Sequence, residues 1–136
     1  MLLQGKKAIV TGGTRGIGFA VVQTFLRNGA SVALFGSRQE TVDKALAALK
    51  EENPDWEVIG MAPDLTDYAA VDAAFAEVEK AFGRIDILVN NAGISAREPL
   101  YDYTPEAFEK IMRLNVSAVF NGCRAAAPRM KAQGGG

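Results

Sequence analysis

A short apolar run, Ala8, Ile9 and Val10, gives way at once to a glycine-rich turn and then to a helical pattern in the stretch IVTGGTRGIGF, Ile9 to Phe19. Gly12, Gly16 and Gly18 take the spacing G-x-x-x-G-x-G. A strand ending in such a turn delivers the chain to a helix start, where free N–H groups and the positive end of the helix dipole favour an anion. Glycine at these positions lets backbone approach a phosphate, or helix approach strand, where a Cβ would intrude. Taken alone, the trio fits an ordinary tight turn as well as a phosphate cradle. The rest of the chain has to decide.

Lys6 to Thr11 lacks alternation and reads as a strand covered on both faces by helices. The helix after the glycines carries Ile17, Val21, Thr24, Phe25 and Asn28 on one side and stops at Gly29. Ser31 to Phe35 is a second buried strand. Ser37 and Glu40 have capping-box spacing and open a helix with Val42, Ala45, Leu46 and Leu49 inward, which ends near Asn53-Pro54. Trp56 to Ala62 is the third strand. Asp64 to Asp67 then turns into a helix whose Tyr68, Val71, Phe75, Val78 and Phe82 form an amphipathic stripe closed by Gly83.

Asp86 to Val89 is the fourth strand and runs into Asn90-Asn91-Ala92-Gly93. Thr104-Pro105 supplies an N-cap and a first-turn proline for a last helix reaching about Gln133. Phe108, Ile111, Met112, Asn115, Val119, Cys123 and Met130 lie along one face of it, and Pro128 is expected to kink it or end it early. The order βαβαβαβα implies an α/β, Rossmann-type doubly wound parallel sheet, as one domain over residues 1–136.

The formal net charge of −1 gives no reason to expect nucleic acid or a charged membrane surface as partner. The opening MLLQGKK has no apolar targeting region, and no run approaches a membrane span, so a cytoplasmic address is the default. Cys123 is the single cysteine, which excludes an internal disulfide and a cysteine zinc cluster. With no histidine in the chain, His-based catalysis and His metal ligation within it are excluded, and no metal site is expected.

TGGTRGIG at Thr11 to Gly18 and NNAG at Asn90 to Gly93 together resemble the short-chain dehydrogenase/reductase family. Asp64 after the third strand and Asn115 within LNV of the last helix match the same pattern in register. The resemblance covers the whole chain but only the N-terminal half of a family member, so the sheet is expected to be truncated after the fourth strand and its following helix. It implies a cofactor site formed by Gly12, Thr14, Arg15, Gly16, Ile17 and Gly18 in the phosphate turn, with Ser37 and Arg38 after the second strand. Asp64, Leu65, Asn91, Ala92 and Gly93 complete that site. In the family the aspartate bonds the adenine amine, and Asn90 to Gly93 pass alongside the cofactor and brace the central strands. Asp64 also fits a plain helix-entry residue. Asn115 lies on an apolar stripe, where an amide must be hydrogen-bonded. It is either a buried asparagine on nearby backbone or, as the resemblance implies, a member of the catalytic tetrad that holds a proton-relay water.

An acid at the end of the second strand would accept from a ribose 2′-hydroxyl, whereas a basic residue favours a 2′-phosphate. Here the turn reads Phe35-Gly36-Ser37-Arg38, with Glu40 engaged in its capping box and Arg15 adding a second positive charge. NADP is favoured over NAD. The family's proton-handling pair, Tyr-x-x-x-Lys, places both residues on one helix face, so that the ammonium lowers the phenol's pKa. Tyr68 has Asp72 four residues on, Tyr101 has Pro105 and Tyr103 has Ala107, so none qualifies. The chain by itself is expected to be inactive.

The leading reading is therefore the NADP(H)-binding portion of an oxidoreductase acting on a small-molecule alcohol/ketone pair. FGSRQETVDKAL and NNAGI look like 3-oxoacyl-carrier-protein reductases and bile-acid hydroxysteroid dehydrogenases. A non-catalytic nucleotide-binding or interaction module is the second reading. A methyltransferase on the same type of fold is disfavoured by the acid-free turn at Ser37-Arg38. The fourth strand is expected to be an exposed edge, inviting a homo-oligomer or another chain to pair with it.

Overall fold

The computed structural model describes residues 1–136. Strands β1 (Lys7–Thr11), β2 (Ser31–Phe35), β3 (Val58–Met61) and β4 (Ile87–Val89) form one parallel sheet in the order β3-β2-β1-β4. They alternate with helices α1 (Gly16–Arg27), α2 (Gln39–Glu52) and α3 (Tyr68–Phe82); α4 (Pro105–Met112) and α5 (Ala118–Ala132) follow β4. Register runs Lys7↔Ser31 to Thr11↔Phe35 between β1 and β2, and Ala8↔Ile87 to Val10↔Val89 between β1 and β4. No helix is long and apolar enough to cross a membrane.

The two-residue period of the strands divides the apolar residues into two cores. Ile9, Ala33 and Phe35 point to one face, where they meet Val71, Phe75 and Val78 of α3 and Ala125 and Ala126 of α5. Ala8, Val10, Val32 and Leu34 point to the other, against Val22 and Leu26 of α1 and Val42, Ala45 and Leu49 of α2. Phe35 and Phe75 pack edge to face with ring centroids 5.9 Å apart. Both faces are covered, as the unbroken apolar runs require. The stripe on α3 lies inward, with Tyr68 half-buried, and α3 ends on a left-handed Gly83.

Several local expectations are corrected. Gly18, Val22 and Leu26 form the buried line of α1, whereas Ile17 is 79% exposed and Thr24 is exposed. The helix seats on a glycine that hydrophobic periodicity cannot register, which rotates its inward face by one residue. The Ser37–Glu40 capping box does not form. Gly36 N–H donates to the Met61 carbonyl, so the strand geometry continues past Phe35, and α2 starts only after an extended Arg38 with no side-chain cap. Glu40 instead lies 3.5 Å from Lys44 in an exposed pair. β3 starts at Val58 rather than Trp56 and ends at Met61 rather than Ala62, while β1 and β4 each start one residue later than expected.

The last helix differs most. Its break is a π-helical turn at Arg113–Ser117, and α5 runs through Pro128 to Ala132. Its buried residues are Ala118, Asn121, Gly122, Ala125 and Ala126. Phe108, Met112 and Cys123 are exposed and Asn115 lies at the surface, so the large apolar residues do not mark the packed face. Small side chains let α5 approach the sheet and α3 closely, with Met130 packed at the margin of that core and Phe120 left in solvent.

Asp86 anchors the entry to β4. It is 8% exposed; one carboxylate oxygen accepts from Lys7 N–H at 2.9 Å and the other from Arg84 Nε at 2.7 Å. Burial by itself would raise its pKa, but the Arg84 guanidinium and the Lys7 N–H outweigh burial and hold it below the usual carboxylate range. A depressed folded pKa gives stability that is present above the unfolded value and lost as pH falls through the folded one. Asp86→Ala is expected to cost about 2 kcal/mol at neutral pH, below the range for a fully buried pair because Arg84 remains half in solvent. Urea unfolding of wild type and variant should show the gap narrowing below about pH 4. An undiminished gap at the acid end would contradict the role given to this carboxylate.

Candidate functional site

At the carboxyl end of β1 the chain leaves the sheet through a left-handed Gly12, φ +65°, and enters α1 through a left-handed Gly16, φ +57°. Gly16 is required for its conformation alone, since a Cβ there would meet nothing within 4 Å. Gly12 and Gly18 are required for space. A Cβ on Gly12 would come within 2.9 Å of Asn91 Nδ2, and one on Gly18 would overlap the Gly12 carbonyl oxygen. No side chain caps α1, and its first turn holds no acid. The N–H groups of Gly16, Ile17 and Gly18 have no protein acceptor, the condition under which a helix start takes an anion.

The turn is tied to the end of β4. Thr11 Oγ1 accepts from the N–H groups of Asn91 and Ala92, each at 3.0 Å, and Asn91 Nδ2 donates to the Gly12 carbonyl at 3.1 Å. The bracing expected of NNAG is thus present. Its partner Thr11, buried at the last position of β1, is not among the site residues that the sequence pattern picks out. A threonine immediately before a turn glycine was the only available signal.

Between the strand ends lies a cavity of about 610 Å³. The glycine turn contributes Gly12, Thr14, Arg15, Gly16 and Ile17, and Ser37 with Phe35 and Gly36 form the wall after β2. Asp64 and Leu65, with Ala62 and Pro63, form the wall after β3; Asn91, Ala92, Gly93 and Ile94 form the wall after β4. Eleven of the thirteen residues singled out for a cofactor therefore face one cavity. Gly18 lies beneath the turn as the helix-to-turn contact, and Arg38 is exposed at the N-cap of α2, one residue beyond Ser37.

The two charged wall residues are Arg15 and Asp64. Asp64 Oδ1 accepts from the Thr66 hydroxyl at 2.7 Å and the Thr66 N–H at 3.0 Å. The hydroxyl first and the N–H second lower its pKa, so the carboxylate is ionised and can accept a further donor. Asn115, surface-exposed in the π-helical turn, is bonded through both ends of its amide: Oδ1 accepts from Ile94 N–H and Nδ2 donates to the Ile94 carbonyl, both at 2.8 Å. The amide is thus satisfied by backbone of the cavity wall rather than by burial in an apolar stripe. Cys123, placed on the same stripe as Asn115 by the sequence pattern, is exposed and accepts a 3.4 Å contact from Asn90 Nδ2.

A family model described as short chain dehydrogenase matches residues 6–136. The 3α-hydroxysteroid dehydrogenase of Mediterraneibacter gnavus is 60% identical over 136 residues, which is 100% of this chain and 54% of that protein. Among solved structures, NAD+-bound xylitol dehydrogenase matches with TM-score 0.93 at 31% identity, covering 100% of this chain and 52% of that one. A metagenomic short-chain oxidoreductase in complex with NADP matches with TM-score 0.90 at 33% identity, covering 100% and 61%. The chain spans about half the length of the curated relatives it matches.

The glycines provide a direct check on the site. Gly18→Ala forces α1 away from the Gly12 carbonyl and should cost about 2 kcal/mol or more, as overpacking against backbone does. Gly16→Ala meets no neighbour and should cost about 1–2 kcal/mol from left-handed strain alone. Chemical denaturation of the two variants measures the difference. Equal costs would show that the close approach at Gly18 is not what the helix depends on.

Proposed function

The chain belongs to the short-chain dehydrogenase family, and on that premise we propose that it is the NADP(H)-binding portion of a cytoplasmic oxidoreductase interconverting a secondary alcohol and a ketone by hydride transfer. The observation that carries this reading is the single cavity lined by the glycine turn, Ser37, Asp64–Leu65 and Asn91–Gly93, from four strand ends. The residues fit a dinucleotide: the turn is a cradle that a Cβ at position 12 or 18 would fill, beside unpaired helix-start N–H groups suited to phosphate. Thr14, Gly16, Ile17 and Gly18 form the proposed phosphate seat, Asp64 and Leu65 the adenine wall, and Ala92 and Gly93 the wall beside the rest of the cofactor. When bound, the cofactor supplies a hydride donor or acceptor at its nicotinamide ring.

NADP over NAD is supported by the charge around Ser37. Arg15 lines the cavity and Arg38 follows Ser37, while Glu40 faces Lys44 on α2. The two cationic side chains would attract a 2′-phosphate, and no acid at the turn would repel it. Asn115, its amide held by Ile94, is the member of the proton-handling site that this chain carries. Since no tyrosine has a lysine four residues on, the chain alone is proposed to bind cofactor without turnover. A nucleotide-binding module without catalysis is the second reading.

The 60% identity to a 3α-hydroxysteroid dehydrogenase supports a hydroxysteroid as the alcohol. Association with a second copy is supported by the exposed apolar residues Phe108, Met112, Val116 and Phe120 at four-residue spacing.

Titration of NADPH, NADH and S-adenosylmethionine against the folded chain is expected to give binding of NADPH ahead of NADH, with none of S-adenosylmethionine. The full gene product is expected to oxidise a 3α-hydroxysteroid. Binding without turnover by the full product would favour the module, and absence of nicotinamide binding would end both readings. Arg38→Asp should move the NADPH:NADH preference about tenfold toward NADH, or about 1.4 kcal/mol. An unchanged ratio would remove Arg38 from the site.

A further inference from the structure

Helix α5 meets the molecule through small residues. Ala118, Gly122, Ala125 and Ala126 are buried, and a Cβ on Gly122 would lie 2.7 Å from Asn90 Oδ1. The one polar side chain buried on this face is Asn121, 7% exposed. Packing alone would be served by another alanine, which brings no polar atom to satisfy. The Asn121 amide Nδ2 donates to the Leu65 carbonyl at 3.0 Å, across 56 residues of sequence.

Leu65 follows Asp64 in the cavity wall. The connection that carries them is otherwise held by short-range bonds: Asp64 to Thr66, and Asp67 N–H to the Asp64 carbonyl at 3.1 Å. The bond from Asn121 is the one hydrogen bond joining residues 62–67 to a distant element. Six residues earlier, Asn115 holds the Ile94 backbone on the β4 side of the same cavity. One helical rod thus grips two walls, each through an asparagine.

We infer that Asn121 is a positioning residue for the Asp64–Leu65 wall, setting affinity for the adenosine half of the dinucleotide and leaving the nicotinamide half unaffected. The inference rests on the dinucleotide reading above. Without the amide, the turn keeps its internal bonds but loses its fixed distance from α5, and the Asp64 carboxylate is no longer held where an adenine amine would meet it.

The test uses the full gene product and two half-ligands, adenosine 2′,5′-bisphosphate and reduced nicotinamide mononucleotide. Asn121→Ala should weaken the adenosine ligand about tenfold, the worth of a hydrogen bond in a fixed geometry, and change the nicotinamide ligand less than about twofold. Asn121→Asp, equal in size but without the donor, should behave like the alanine variant. Equal losses for both ligands, or no loss for either, would overturn the positioning role. In the wild-type protein the Asn121 side-chain amide resonance should move with the adenosine ligand and stay fixed with the nicotinamide one. That measurement decides the matter if the variants do not fold, and a resonance unmoved by the adenosine ligand would refute the inference. Failure of the wild type to bind the adenosine ligand at all would overturn the dinucleotide reading along with it.

Discussion

The backbone of α1 sits against the carbonyl of Gly12 so closely that residue 18 has no room for a side chain, and most of the site geometry depends on that contact. It seats the helix start directly over the end of β1, so that Gly16 and Ile17, whose N–H groups are free, line the cavity. The same carbonyl accepts from Asn91 Nδ2, and Thr11 beside it accepts from the Asn91 and Ala92 N–H groups. One short stretch of backbone therefore fixes α1, β1 and the end of β4 together. Parallel strands deliver their carboxyl ends to one side, and it is there, at the crevice between connections running to opposite faces, that an open α/β sheet can build a ligand site.

The longer-range order was legible in the sequence where apolar patterning was strong. The unbroken runs of β1 and β2 and the stripe of Val71, Phe75, Val78 and Phe82 could only be covered strands and an amphipathic helix, and they are. The misjudged elements share one physical cause: their packing rests on small residues or backbone. α1 turns inward on Gly18 rather than Ile17, and α5 on Gly122 and three alanines rather than on Phe120. Hydrophobic periodicity weighs side-chain size and reads such faces one step out of phase. The capping box at Ser37 failed for a related reason, since a backbone bond from Gly36 to Met61 keeps the chain extended where local propensity favours a helix start.

The candidate site was legible in its residues and much less so in its supports. Glycine spacing and the polar residues at strand ends identify most of the cavity wall, because those types have few other reasons to stand there. Thr11 and Asn121 carry no such mark. Each is a common polar residue whose role depends on a partner 56 or more positions away. The π-helical turn is equally unmarked, although it sets where Asn115 meets Ile94 relative to Asn121 and Leu65.

Mapping of backbone amide shifts on addition of NADPH tests the central claim most directly. Perturbation should concentrate at Gly12–Gly18, Ser37, Asp64–Leu65 and Asn91–Ile94, the residues at the ends of all four strands. Saturable shifts confined to the opposite end of the sheet, or to the cleft between α3 and α5 around Arg124 and Arg129, would contradict it.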